Sequence, residues 1–341
     1  MKNFRLALLG FGNVGQAFAR LLKRKRNTLL KDYGVGFDIT GIATARHGLA
    51  IQPGGLDIEQ ALQAVSSGGN LNEISSQPSP SDLFEFIRSC GADVLFENTP
   101  VNYADGQPAV SYLKAALETG MHAITANKGP VVHAYRQLTD LAAQVGRRFY
   151  FESAVMDGAP IFSLFRYSLP AVDLRSFTGI LNSTTNLILT RMEAGESSAA
   201  AVAYAQSIGI AETDPSGDID GWDAAVKVAA MVTVLMGLPL KPSQVERTGI
   251  RSLSSDDIHQ AHAHGKRWKL VCSAHRQGSQ VTARVAPQLV GPDSPLYGVS
   301  GTSSIVSFES DVLPQLSIVE GNPGPETTAY GLLADFINLT R

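Results

Sequence analysis

Short apolar runs alternate with amphipathic stretches through the first half of the chain. Phe4–Leu9 is a compact apolar run, and Gln16 to Lys23 then repeats with helical spacing. Phe37–Ala43, Ala92–Glu97, His122–Thr125 and Phe149–Ala154 read as further buried strands. Asp57–Val65, Asp82–Ser89 and Gln107–Thr119 read as helices, the last closed by Gly120. Ser66–Asn70 and Ser75–Ser81 have the composition of loops. Strand and helix in this rhythm predict an α/β unit with a doubly wound parallel sheet, whose ligands gather at the carboxyl ends of the strands.

A different pattern follows the segment Val155–Pro160 (VMDGAP). A helix is expected from Ile161, then a strand at Ser176–Ile180 and helices at Asn186–Glu193 and Ser198–Ser207. Gln280–Val285 and Ile305–Glu309 alternate with period two. Together these predict an α+β unit with a mostly antiparallel sheet, covered by helices on one face. Its open face is a candidate dimer surface. Thr328–Leu339 reads as a last helix, expected to return to the first unit.

Composition narrows the function classes. The 341 residues suit two domains, and 44% hydrophobic with 17% charged residues is an ordinary globular balance. A net charge of -3 without a basic block gives no footprint for nucleic acid or an anionic membrane. Two cysteines far apart, Cys90 and Cys272, form neither a disulfide framework nor a zinc site, and fit a reducing compartment. The N-terminus runs straight into a strand, with no signal-peptide core and no 18-residue apolar span, so a cytoplasmic protein is expected.

Candidate chemistry begins at the first strand–helix junction, Gly10-Phe11-Gly12-Asn13-Val14-Gly15. A strand, this glycine spacing and a helix make a dinucleotide site. After the second strand comes Thr44-Ala45-Arg46-His47, with no acid to take a ribose 2′-hydroxyl, while Asp38 lies at the wrong end. Arg46 suits the 2′-phosphate of NADP, with NAD still possible; a solvated loop arginine would look the same. Asn98, Thr99 and Lys128 fall at carboxyl ends of strands, where a ligand would meet them, although Lys128 could equally be an ordinary loop lysine.

Ala205 to Lys227 (AQSIGIAETDPSGDIDGWDAAVK) organises the remainder. Glu212, Asp214, Asp218, Asp220 and Asp223 precede a lone Lys227, and an apolar run to Met236 is closed by Gly237. That run predicts a buried helix with Asp220 as its N-cap and Gly237 just beyond its C-terminus. Asp223 and Lys227 share a helix face. An exposed i,i+4 salt bridge has the same spacing. Acids converging on a buried lysine, however, need a further cation, and a substrate ammonium group would serve.

This stretch resembles the signature of the homoserine dehydrogenase family. Ala205, Gly209, Ile210, Ala211, Asp214, Pro215, Asp218, Ile219, Gly221, Asp223 and Lys227 all fall in place. The resemblance extends over essentially the whole chain. Asn98-Thr99-Pro100 and Ala126-Asn127-Lys128 match family segments, while Ser183 replaces a usual glycine and Asn322-Pro323-Gly324 replaces Gly-Ala-Gly. It implies an NADP-dependent oxidoreductase interconverting L-aspartate 4-semialdehyde and L-homoserine in threonine and methionine biosynthesis. It further implies a Rossmann-type domain over 1–153, a substrate-binding and dimerisation domain over 154–320, and a returning segment over 321–341. Glu212, Asp218 and Thr184 would bind substrate, Asp223 would hold Lys227, and Lys227 or Lys128 would donate the proton. Gly324 would join the cofactor residues. Glu152, Val155, Asp157 and Ala159 would form a monovalent cation loop for Na+ or K+, although a structural connecting turn fits that segment too. A homodimer of the family's short form, with no regulatory domain after Arg341 and no kinase-like segment before Met1, is expected. The residues leave open a dehydrogenase of the sugar and inositol type, which would have no reason for the Glu212–Lys227 constellation, and a non-catalytic NADP sensor.

Overall fold

The computed structural model describes residues 2–341, and the chain divides into two units, Met1–Pro160 with Gly324–Arg341, and Ile161–Pro323. In the first unit the order is β1 (Lys2–Leu9), α1 (Asn13–Tyr33), β2 (Val35–Ala43), β3 (Leu49–Ile51), α2 (Ile58–Ser66) and α3 (Leu83–Ser89). It continues with β4 (Val94–Glu97), α4 (Ala109–Glu118), β5 (His122–Thr125), α5 (Lys128–Gln144), β6 (Phe149–Tyr150) and α6 (Ser153–Met156). The sheet order is β3-β2-β1-β4-β5-β6, parallel except for the short edge strand β3, which runs against β2. Both faces of this sheet are buried. Leu6 and Leu8 of β1 pack with Phe18, Leu22, Phe37 and Phe96, whereas Ala7 and Leu9 face Phe86, Ile87 and Leu95. That is the two-sided apolar run expected of a central parallel strand. Asp57 and Asp82 cap α2 and α3 by accepting from Glu59 N at 2.8 Å and Glu85 N at 2.7 Å, each worth about 1 kcal/mol.

The second unit contains β7 (Leu174–Ile180), α7 (Ser183–Glu193), α8 (Ser198–Ser207), α9 (Ser216–Ile219), α10 (Trp222–Leu235) and β8 (Glu246–Arg247). It ends with α11 (Ser255–Ala263), β9 (Arg267–Gln277), β10 (Gln280–Val290), β11 (Ser304–Ser310) and β12 (Leu316–Glu320). Its sheet, β12-β11-β7-β9-β10-β8, is antiparallel except where β8 meets β10. α10 runs along β9 and β10, with every residue from Asp223 to Val226 and from Val228 to Thr233 buried. The opposite face carries Ser176, Thr178, Ser273, His275, Thr282, Arg284 and Glu309, side chains that are half-buried or exposed.

The last helix, α12 (Pro325–Thr340), packs on α1, with Phe336 against Phe4 and Phe96 in the first unit's core. Two glycines permit its approach to α6. A Cβ on Gly331 would strike Ser153 Oγ, and one on Gly158 would strike the Thr327 carbonyl.

Three local expectations are corrected. The strand expected over Phe149–Ala154 stops at Tyr150, because the amide of Glu152 goes to Asp335 Oδ2 at 2.7 Å and Ser153 starts α6. From Ile161 the chain forms a π-helical turn, Leu164–Ser168, rather than a regular helix. Asp220 does not cap α10. Gly221, in the left-handed conformation, precedes that helix, and the Asp220 carboxylate instead pairs with Arg251 at 2.9 and 3.0 Å.

Candidate active site

The glycine loop of the first unit follows β1, whose neighbours are β2 and β4. Gly10 has φ +94°, and a Cβ there would overlap the Asn98 carbonyl; a Cβ on Gly15 would overlap the Gly10 carbonyl. Protein packing therefore explains the first and third glycines. Around Gly12 there is open space, so nothing in the chain requires glycine there; an approaching ligand would. Gly12 is also the N-cap of α1 and supplies no side-chain acceptor. The first-turn amides beyond Phe11, at Asn13, Val14 and Gly15, have no acid among them, which is the arrangement that binds phosphate. Beside this loop, both polar atoms of the Asn98 side chain are buried with no hydrogen-bond partner among the described residues. A buried amide in that state needs a partner, and a dinucleotide would supply one. The residues thus fit a dinucleotide.

Arg46 is exposed at the tip of the turn joining β2 to β3, and the Thr44 hydroxyl fixes that turn by accepting from His47 N at 2.7 Å. Asp38 is held at the other end of β2 by Asn3 at 2.8 Å.

Glu97 is a residue that sequence reasoning missed. Fully buried at the end of β4, it accepts from Thr99 N at 2.7 Å, Thr99 Oγ1 at 2.5 Å and Thr125 Oγ1 at 2.6 Å. Thr125 Oγ1 in turn accepts from Asn127 N at 2.9 Å, and the Asn127 amide donates to the Thr99 carbonyl at 3.3 Å. One carboxyl group thereby fixes the two loops that carry Asn98, Thr99 and Lys128. Burial pushes its pKa up, and the Thr125 and Thr99 donors oppose that rise. Its only sequence signal was an acid closing an otherwise apolar strand. Lys128 is the first residue of α5, half-buried, with its ammonium 5.9 Å from the Tyr103 ring centroid. A cation at a helix N-terminus opposes the helix dipole by about 0.3–1 kcal/mol.

Gly324 is the N-cap of α12, its amide donating to Thr327 Oγ1 at 2.7 Å after Asn322 takes a left-handed φ of 50°. Glu152, Val155, Asp157 and Ala159 lie on and around α6. Glu152 and Val155 are buried, Asp157 accepts from Thr327 Oγ1 at 2.9 Å, and Ala159 N donates to the Met156 carbonyl at 2.8 Å. Among the described residues no three His, Cys, Asp or Glu side chains are arranged to hold a metal ion.

In the second unit the loop after β7 brings the signature residues together. Lys227 Nζ lies 3.2 Å from Asp223 Oδ2 and donates to the Leu181 carbonyl at 2.7 Å. Their side chains are 16% and 10% exposed, so this is not the solvated pair that the spacing alone also allowed. Asn182, beside Leu181, donates from Nδ2 to Asp218 Oδ1 at 2.6 Å and to Asp223 Oδ2 at 3.0 Å. The single Thr184 hydroxyl proton lies within reach of two acceptors, the Ile210 carbonyl at 3.3 Å and the Asp218 carboxylate. Burial, and then the charge of Asp223, hold the Asp218 pKa above its usual value. Glu212 is exposed on the preceding loop, where its carbonyl accepts from Gln206 at 3.1 Å. Asp214 is also exposed and bonds the amide of Ser216. Of the five acids, Asp218 and Asp223 are gathered around Asn182.

Known proteins share these features. Residues 10–152 match the family model described as homoserine dehydrogenase, NAD binding domain, and residues 160–337 match the homoserine dehydrogenase model. The chain is 35% identical to the NAD(+)-dependent homoserine dehydrogenase of Pseudomonas canavaninivorans, covering 99% of this chain and 97% of that protein. It is 33% identical to the homoserine dehydrogenase of Methanocaldococcus jannaschii over 98% of each. The crystal structure of homoserine dehydrogenase from Thermoplasma acidophilum superposes with a TM-score of 0.85 at 26% identity, over 99% of both chains.

Proposed function

The chain belongs to the homoserine dehydrogenase family of NAD(P)-dependent oxidoreductases, and from that premise we propose that it interconverts L-aspartate 4-semialdehyde and L-homoserine with NADP, in threonine and methionine biosynthesis. The observation that carries the proposal is the connected set of buried Asn182 and Asp223 with half-buried Asp218 and Lys227. It offers a carboxylate to a substrate ammonium and an ammonium to a carbonyl oxygen. The nicotinamide supplies or takes the hydride when bound. This chain's own groups bind and move the proton. In the reductive direction a lysine ammonium protonates the aldehyde oxygen as C4 gains hydride; in the other direction the neutral amine takes the hydroxyl proton. Lys227 is assigned that role because Asp223 and the Leu181 carbonyl fix its head. Lys128 is the second reading, favoured by its place at the start of α5. Asp218, with Glu212 and Thr184, holds the amino acid's ammonium group.

The NADP preference rests on Arg46 and on the absence of an acid from residues 44–47. NAD is the second reading, favoured by the name of the Pseudomonas canavaninivorans relative. We extend the proposal to a homodimer formed through the open face of the second sheet, where polar side chains such as Thr178, Ser273 and Arg284 lack a helical cover. A monovalent cation at Glu152, Val155, Asp157 and Ala159 is also proposed on the family resemblance, with the buried Glu152 as a charged member of that segment. No helix among the described residues is long and apolar enough to cross a membrane. Cytoplasmic placement is also proposed, supported by Cys90 and Cys272 being free, buried thiols. A steady-state assay with homoserine and each cofactor tests the reading. Turnover with homoserine, faster with NADP, is expected; no turnover with either cofactor would overturn it.

A further inference from the structure

We propose that Asn182 is a positioning residue that holds Asp218 and Asp223 as a matched pair of carboxylates for the substrate ammonium and for Lys227. The inference rests on the homoserine reading of this site and adds a residue with no assigned role.

The orientation of the Asn182 amide is fixed by what it accepts. Its Oδ1 receives Thr185 N at 2.8 Å and Thr185 Oγ1 at 2.8 Å, which caps α7. The amide nitrogen must then face the other way, where its two N–H groups meet two different carboxylates, Asp218 at 2.6 Å and Asp223 at 3.0 Å. Capping uses only the oxygen; Asp or Ser would cap as well. Neither could place two donors between the acids. Without those donors, half-buried Asp218 and buried Asp223 would face one another across the gap with Lys227 as their neighbouring cation, which favours protonation of one of them. That proton would remove the charge needed for an ammonium ligand. The same amide reaches the oxygen of Asp223 that Lys227 approaches, so it also fixes the carboxylate that orients the ammonium. The groups facing Asp218 and Asp223 include Asn182 and Thr184 of the β7–α7 junction, Lys227 of α10 and the thiol of Cys272 on β9.

The test compares Asn182→Asp and Asn182→Ser with the unaltered enzyme. Both keep a capping oxygen and both remove the bridging donors; only the first adds charge. The expected result is a rise of about tenfold in the homoserine KM for Asn182→Ser, the scale of a lost hydrogen bond to a charged group. For Asn182→Asp the rise should be larger, and the acid limb of kcat/KM should move up by about one pH unit. The melting temperature of Asn182→Ser should change little, since the cap remains, whereas Asn182→Asp adds a third carboxylate at a buried position and should melt lower. The Asp218 carboxyl titration, followed by carbon NMR of aspartate-labelled protein, should move upward in both variants. Wild-type KM, acid limb and titration in both variants would overturn the proposal. If the unaltered enzyme fails to oxidise homoserine, the functional reading is lost, and the NMR titration still decides whether Asn182 controls the carboxylates. If Asn182→Asp does not fold, Asn182→Ser carries the comparison.

Discussion

Lys227 and Asp223 face one another within the buried surface of α10, ammonium to carboxylate at 3.2 Å, with the Leu181 carbonyl a further 2.7 Å contact of the same ammonium. A helix that is otherwise apolar thus presents one charge pair, and the pair is aimed at the loop after β7. Two acceptors hold the ammonium head still, which is what a positioned proton donor requires.

Asp218 completes that site from the short helix α9. Asp218→Asn should raise the homoserine KM about tenfold and leave kcat within a few-fold, because it weakens a ground-state contact to the ammonium group. Since burial and Asp223 raise the Asp218 pKa, binding should weaken as pH falls through a value above the ordinary one for aspartate. The KM–pH profile of both proteins checks this, and the acid limb should vanish from the Asn variant.

Arg46 stands alone at the end of β2. Arg46→Asp should level or reverse the preference between NADP and NAD, read as the ratio of kcat/KM values. An unaltered enzyme that already uses both equally, with no change on substitution, would remove the 2′-phosphate role.

The fold was legible where structure is specified locally. Asp57 and Asp82 cap the helices they precede, and Gly237 takes the left-handed conformation, φ 68°, expected after α10. Gly10 and Gly15 occupy positions that no larger residue could fill. What escaped was set by partners distant in sequence. Asn182 meets acids 36 and 41 positions away, and Glu97 meets Thr125 28 positions away. Asp220 looked like a cap because its local context is that of one, but Arg251, 31 positions on, wins its carboxylate. The acids of the signature looked alike in sequence. Burial separates Asp223 from exposed Glu212 and Asp214.

Glu97 should reveal itself through stability. Its folded-state pKa is raised, so its contribution is full below its unfolded pKa and is lost as pH rises through the folded value. Relative to Glu97→Gln, the unaltered protein should therefore gain stability as pH falls from the raised folded value toward the unfolded glutamate value of about 4.3. Denaturant unfolding at several pH values measures the difference. The KM for the cofactor should also rise in Glu97→Gln, because the loops bearing Asn98 and Lys128 lose their common anchor.

Lys269 gives the opposite slope. It is fully buried on β9, donating to the Val299 carbonyl at 2.8 Å and Asn186 Oδ1 at 3.2 Å, and burial lowers its pKa to about 8. The unfolded chain then binds more protons than the folded one between about pH 8 and its ordinary value near 10.4. Relative to Lys269→Met, the unaltered protein should become more stable across that window, measured by unfolding at pH 7.5 and pH 9.5.

The central claim is that Lys227 serves chemistry. The direct measurement is kcat for Lys227→Met with homoserine, taken beside the melting temperature. A fall in kcat of about 10²–10⁴-fold at a temperature where the variant is still folded is expected, with a lower melting temperature because Asp223 loses its cation. Near-normal kcat with a collapsed melting temperature would contradict the account and make Lys227 a structural partner of Asp223.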